Sequence, residues 1–155
     1  MAKMTVYHGG YMAVTSPKIR EGRYTKDFGT GFYCTIIKEQ AQRWAKRYDK
    51  GIVSIYEVRL NTSLKIKEFK EMSDEWLDFI IACRSGKEHD YDIVIGPVAD
   101  DKVYRVVLLY EHGDIDKDLA LKKLKTEKLC DQILFHTEKS LEYLKFIEVE
   151  ELNNG

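Results

Sequence analysis

Three side chains stand where this chain could deliver chemistry. His8 lies in Val6-Tyr7-His8-Gly9-Gly10, Tyr33 in Asp27-Phe28-Gly29-Thr30-Gly31-Phe32-Tyr33-Cys34-Thr35, and Gln132 in Asp131-Gln132-Ile133-Leu134-Phe135. Each sits at or near the edge of a short apolar run. The first two also lie beside glycines, which let a strand bring both a side chain and its own backbone close to a ligand. An imidazole or a carboxamide can hydrogen-bond a hydroxyl, and a phenol offers a flat face to a ring. Paired glycines leave backbone N–H and C=O groups within reach of a planar amide.

Together these stretches resemble the His-Tyr-Glu branch of the ADP-ribosyltransferase superfamily, which includes diphtheria-toxin-like and poly-ADP-ribose-polymerase-like enzymes. They look closer still to a bacterial family of unknown function grouped in that clan, whose members carry the His-Gly-Gly, Asp-Phe-Gly-x-Gly-Phe-Tyr and Asp-Gln-Ile-x-Phe stretches. The resemblance implies an α+β fold, with two small sheets packed as a split β-sandwich, helices outside and a dinucleotide in the cleft. It implies NAD as the substrate and mono-ADP-ribosylation of a macromolecular acceptor, protein or nucleic acid. Bacterial members of the superfamily often act as toxins. By analogy alone, a toxin role with an antitoxin protein as partner is the natural extension.

On this resemblance His8, Tyr33 and Gln132 take the catalytic positions. His8 hydrogen-bonds a ribose hydroxyl, Gly9 grips the nicotinamide amide through its backbone beside Gly10, and Tyr33 stacks on the nicotinamide ring. Arg20, Arg23 and Lys26 lie in the intervening loop, where a guanidinium can bind pyrophosphate bidentately. Arg23 is the preferred candidate, and a solvated loop charge is its competing reading. Gly31 borders the same ligand, although Gly29 and Gly31 match no phosphate-binding fingerprint and suit backbone conformation better. Blander readings exist for each residue: His8 satisfied by a neighbouring carbonyl, Tyr33 packed in the core, Gln132 bonded to backbone. Phe32, on the opposite face from Tyr33, is expected in the core.

Gln132 departs from the enzyme pattern, which has glutamate there. Breaking the nicotinamide–ribose bond passes through an oxocarbenium-like state that a carboxylate supports and a carboxamide does not. Three explanations stay open: Asp131 or Glu138 serves instead, the acceptor's chemistry removes the need for a base, or the site binds nucleotide without turnover. Regular alternation puts Asp131 on the opposite face from Gln132, which weakens the first. The alternative function is therefore a catalytically silent domain that binds NAD, an ADP-ribose-like ligand or a regulatory protein.

The 155 residues, 44% hydrophobic and 12% aromatic, suffice for one domain spanning 1–155. A net charge of -1 from 25 basic and 26 acidic residues argues against a general polyanion-binding surface. Cys34, Cys83 and Cys130 lie far apart without zinc spacing, so neither a disulfide framework nor a structural metal is expected. Asp100 and Asp101 read as a helix cap before they read as a metal site. Cys34 reads as a buried small hydrophobe, and His112 and His136 as structural or solvent-facing. No signal region or membrane-length apolar run is visible, so a cytoplasmic protein with no membrane partner is expected.

Strands are expected at Thr5 to Tyr7, Gly31 to Thr35, Ile52 to Leu60, Leu64 to Lys67, Tyr91 to Pro97, Asp131 to His136 and Phe146 to Val149. Within the third, Val53, Ile55 and Val58 are expected to face the core. Thr35 is expected to cap a helix through Lys38 to Tyr48, with Ala41, Trp44, Ala45 and Tyr48 buried. Ser73 caps a second helix to Arg84, with Trp76, Phe79, Ile80 and Cys83 inward. Lys102 to His112 mixes β-branched residues with a helical period, and helix is chosen. Helices at Asp116 to Lys125 and Thr137 to Leu144 complete an irregular order that argues for α+β over a doubly wound sheet.

Overall fold

The computed structural model describes residues 3–19, 28–60, 63–98, 101–125 and 131–152. Its strands are β1 (Lys3–Gly10), β2 (Phe32–Cys34), β3 (Ile52–Arg59), β4 (Ile66–Glu68), β5 (Ile93–Pro97), β6 (Asp131–Phe135) and β7 (Leu144–Glu151). Helices α1 (Lys38–Ala45), α2 (Asp74–Arg84), α3 (Asp101–Glu111), α4 (Lys117–Leu124) and α5 (Glu138–Leu141) fall between them. One sheet has the order β1-β3-β7 and the other β2-β6-β5-β4. All pairings are antiparallel except β4 with β5. The class is α+β, two small sheets with several helices.

Alternation along the strands sorts three cores. Val6, Tyr56 and Val58 of the first sheet meet Phe32, Cys34, Ile93, Ile133 and Phe135 of the second between the sheets. Val94 and Leu134 face the other way, under Trp76, Leu77 and Ile80 of α2, Val103 and Val107 of α3, and Leu124 of α4. Val53 packs with Ala41 and Ala45 of α1 on the outer side of the first sheet. Helices therefore cover the outer faces while the inner faces bury each other.

Local signals explain most elements. Ser73 Oγ accepts from the Trp76 amide at 3.2 Å, and Asp74 and Glu75 follow in the first turn, where acids suit the helix dipole. Asp116 caps α4 through the Leu119 amide at 2.8 Å, and Thr137 with Ser140 forms a capping box on α5. Along Lys102 to His112 the helical period prevails: burial of Val103, Val106 and Val107 on one stripe overrides their strand propensity.

Several expectations need correction. Ile37, not Thr35, occupies the N-cap of α1 and gives no side-chain cap. The Thr35 hydroxyl accepts from the Ile37 amide at 3.0 Å and donates to the Asp131 carbonyl at 2.9 Å, tying α1 to β6 instead. The helix ends at Ala45, so Tyr48 leaves the stripe and is exposed, while Trp44 is half-buried. In β3 the residues alternate without a break, so Val53 and half-buried Ile55 pack toward α1 while Tyr56 and Val58 fill the core between the sheets. The register shift opposite Ile55 and Tyr56 leaves Ile147 of β7 as the extra residue. Both β1 and β7 run longer than their apolar patterns suggest, and β4 begins at Ile66. The expected cap at Asp100 lies outside the described residues. No helix among the described residues is long and apolar enough to cross a membrane.

Candidate binding site at the split between the sheets

The two sheets touch edge to edge at one isolated bridge, where Tyr7 and Thr35 exchange backbone bonds of 2.8 and 2.9 Å. Past that bridge β1 and β2 part. Backbone groups alternate in direction along a strand, so Gly9, two residues after Tyr7, also turns its N–H and C=O toward β2. Neither group finds a partner among the described residues. A donor and an acceptor thus stand side by side at the mouth of the split.

His8 spans the same opening. Its Nδ1 lies 2.7 Å from the Tyr33 carbonyl, so Nδ1–H donates and the Nε2 lone pair remains as an acceptor. The ring stacks on Phe32 with centroids 4.4 Å apart. Burial holds this imidazole's pKa below its ordinary value, against the pull of the carbonyl bond, which keeps Nε2 unprotonated near neutrality. A Cβ at Gly10 would lie 3.6 Å from Nε2, so a long side chain there would crowd that atom.

Register decides which side each candidate faces. Phe32 and Cys34 belong to the core between the sheets, whereas Tyr33 packs on the helix-covered face with Leu134. Gln132, two residues before Leu134, shares that face, and continuing the β2–β6 register sets it opposite Thr35. Gly9 lies on this side too, under α1. The structure brings His8 and Tyr33 together through the Tyr33 backbone, with the imidazole on the inner side and the phenol on the outer. Gln132 is 6% exposed and Tyr33 half-buried.

The Tyr33 hydroxyl is already engaged: it donates to the Gly29 carbonyl at 2.5 Å and accepts from the Phe28 amide at 3.1 Å. Two histidines hold the same turn. His89 Nε2–H donates to the Phe28 carbonyl at 2.7 Å while its Nδ1 accepts from the Tyr91 amide at 3.2 Å, and His136 Nδ1–H donates to the Thr30 carbonyl at 2.6 Å. Their rings sit 4.2 Å apart. Gly31, at φ 147°, presses against β6, where a Cβ would meet the Phe135 carbonyl oxygen at 2.4 Å. That contact makes Gly31 a packing requirement of the turn.

The alternative carboxylates stand elsewhere. Asp131 takes the face opposite Gln132, and burial followed by the nearby Glu68 raises its pKa. Glu138 is exposed on α5, beyond the far end of β6. The Cys34 thiol is fully buried and its pKa is pushed well up by desolvation, which makes it an inert core group. His112 is exposed. Arg20, Arg23 and Lys26 lie outside the described residues.

Sequence reasoning passed over two groups. His89 lies in a polar stretch with no spacing to mark it, and its role appears only where the Phe28 turn folds back. Gln40 reads as a polar position between helix residues, yet it is 2% exposed and neither amide atom has a hydrogen-bond partner among the described residues.

Residues 4–146 match the family described as a protein of unknown function, DUF3990, and the chain belongs to that family. No curated protein matches it.

Proposed function

We propose that this chain is an ADP-ribosyltransferase-like domain that binds NAD in the split between β1 and β2 and transfers ADP-ribose to a macromolecule. The observation that carries this reading is the Gly9 backbone N–H and C=O, which have no partner among the described residues, beside the His8 imidazole. A primary carboxamide offers one acceptor and two donors in a plane, which complements a strand N–H and C=O on the same edge. His8 Nε2, as an acceptor, suits a ribose hydroxyl. Gly9 has no side chain and a Cβ would strike α1, so the ligand meets backbone at this position.

In the reaction the ribose C1′–N bond breaks, and its electron pair leaves with nicotinamide, which departs neutral. An acceptor nucleophile then forms the new bond to C1′ and releases its proton. Tyr33 offers its ring beside the leaving group, and its hydroxyl fixes the turn that positions it. Gln132 can bond a ribose hydroxyl but cannot bring charge to the developing cation. Losing such an electrostatic contact costs on the order of a hundredfold in rate.

That substitution, with Asp131 turned to the other face, favours a second reading in which the site binds nucleotide without turnover. Incubating the full chain with labelled NAD and bacterial lysate separates the two. Label on protein or nucleic acid that disappears in a folded His8→Ala variant supports transfer. Saturable NAD binding with no nicotinamide release supports the silent domain, and no binding at all defeats both. Growth arrest on expression, relieved by the same variant, would extend the first reading to a toxin held by an antitoxin.

A further inference from the structure

The orientation of α1 can be read from its contacts. Lys38 and Gln42 both reach Glu150 of β7, at 2.8 and 2.7 Å, and β7 is the strand of the first sheet farthest from β2. Ala41 and Ala45 face the sheet itself, and the Ala41 carbonyl lies against Gly9. Each helical residue advances about 100°, so Gln40 lies on the flank opposite Lys38 and Gln42. That flank overhangs the free edge of β1, on the same side of the split as Gly9, Tyr33 and Gln132.

Gln40, on the flank of α1 nearest the split, therefore carries a buried carboxamide whose nitrogen and oxygen have no partner among the described residues. Leaving both atoms of a buried amide unpaired is costly, and the great majority of such groups are satisfied. An apolar side chain of similar size would fill the space without that cost. We infer that Gln40 is a ligand-binding residue of the split, its amide donating to and accepting from the nicotinamide–ribose half of the bound nucleotide.

The chemistry of the group excludes the phosphates, and the place of α1 against Gly9, where the carboxamide is proposed to bind, selects that half. A phosphate offers only acceptors and would leave the Gln40 oxygen unpaired, whereas a sugar diol or a carboxamide both donates and accepts. The inference rests on the proposed NAD-binding function and adds to it a specificity residue outside the three sequence stretches. Gln42, two residues on, provides the internal control because its amide is committed to Glu150.

Calorimetric titration of the full chain with NAD and with nicotinamide mononucleotide tests it, on the wild type, Gln40→Leu and Gln42→Leu. The expected result is at least tenfold weaker binding of both ligands to Gln40→Leu, unchanged binding to Gln42→Leu, and a ligand-free thermal midpoint for Gln40→Leu at or above that of the wild type. Wild-type affinity in Gln40→Leu overturns the inference and leaves the NAD reading standing. So does a lowered midpoint with equal losses in both variants, which marks a structural role. Absence of saturable binding to the wild type overturns the NAD reading, and this inference with it.

Discussion

Gly9 and Ala41 meet through their backbones: a Cβ placed on residue 9 would lie 2.0 Å from the Ala41 carbonyl oxygen. The contact seats α1 directly on β1 at the end of the split, and it fixes the overhang that carries Gln40. Because the obstacle is a helix backbone, it cannot turn aside as a flexible side chain would. Gly9→Ala should lower stability by about 3 kcal/mol, the upper part of the usual overpacking range. Chemical denaturation measures this directly, and a loss within about 0.5 kcal/mol, typical of surface substitutions, would mean that α1 is not seated there.

Tyr33 separates two roles in one side chain. Tyr33→Phe keeps the ring and removes the hydroxyl, leaving the Gly29 carbonyl and the Phe28 amide without that partner. A stability loss of about 1–3 kcal/mol is expected from the unpaired groups. If the ring face contributes to the ligand, Tyr33→Leu should weaken NAD binding well beyond the loss in Tyr33→Phe, as titration of both variants would show. Equal affinities would assign Tyr33 to the turn alone.

The histidines make stability depend on pH. Burial lowers the folded-state pKa of His8 and of His89, and the neighbouring His136 lowers His89 further, while the Phe28 carbonyl bond and Asp90 pull it up. Below about pH 6.5, the ordinary value for histidine, the unfolded chain binds more protons than the folded one. Stability from these groups is thus fully present above that pH and is lost as pH falls through the lowered folded values. Protonating His89 would also place a hydrogen on Nδ1, which accepts from Tyr91. The thermal midpoint should fall between about pH 6.5 and 5, before the carboxylates titrate, and His89→Gln should flatten that slope. An unchanged slope in the variant would contradict the arrangement.

How much of this was legible in the chain depended on whether the determining contact was local. Ser73 followed by a stripe through Trp76, Ile80 and Cys83 announced α2, because cap and stripe lie within one segment. The order of elements and the α+β class followed from such signals. Thr35 looked like a cap for the same reason, but its hydroxyl is taken by Asp131, 96 residues away, and no local pattern encodes that. The shift at Ile55 and Tyr56 likewise depends on the pairing with β7. At the candidate site, glycines beside His8 and Tyr33 drew attention to β1 and β2, the strands joined only at the Tyr7–Thr35 bridge. The faces they present, and the buried amide of Gln40, became visible only once the split and α1 were in place.

The NAD-binding proposal requires the backbone of Gly9 to receive a carboxamide in the split. Amide-resolved NMR of the full chain titrated with nicotinamide mononucleotide tests it most directly, with the glycine resonances as reporters. The expected result is a saturable shift of the Gly9 amide, accompanied by Gly10 and the His8 ring, with Gly86 and Gly113 at other turns unmoved. A ligand that binds while the Gly9 amide stays still, or a protein that shows no saturable shift at all, would contradict it.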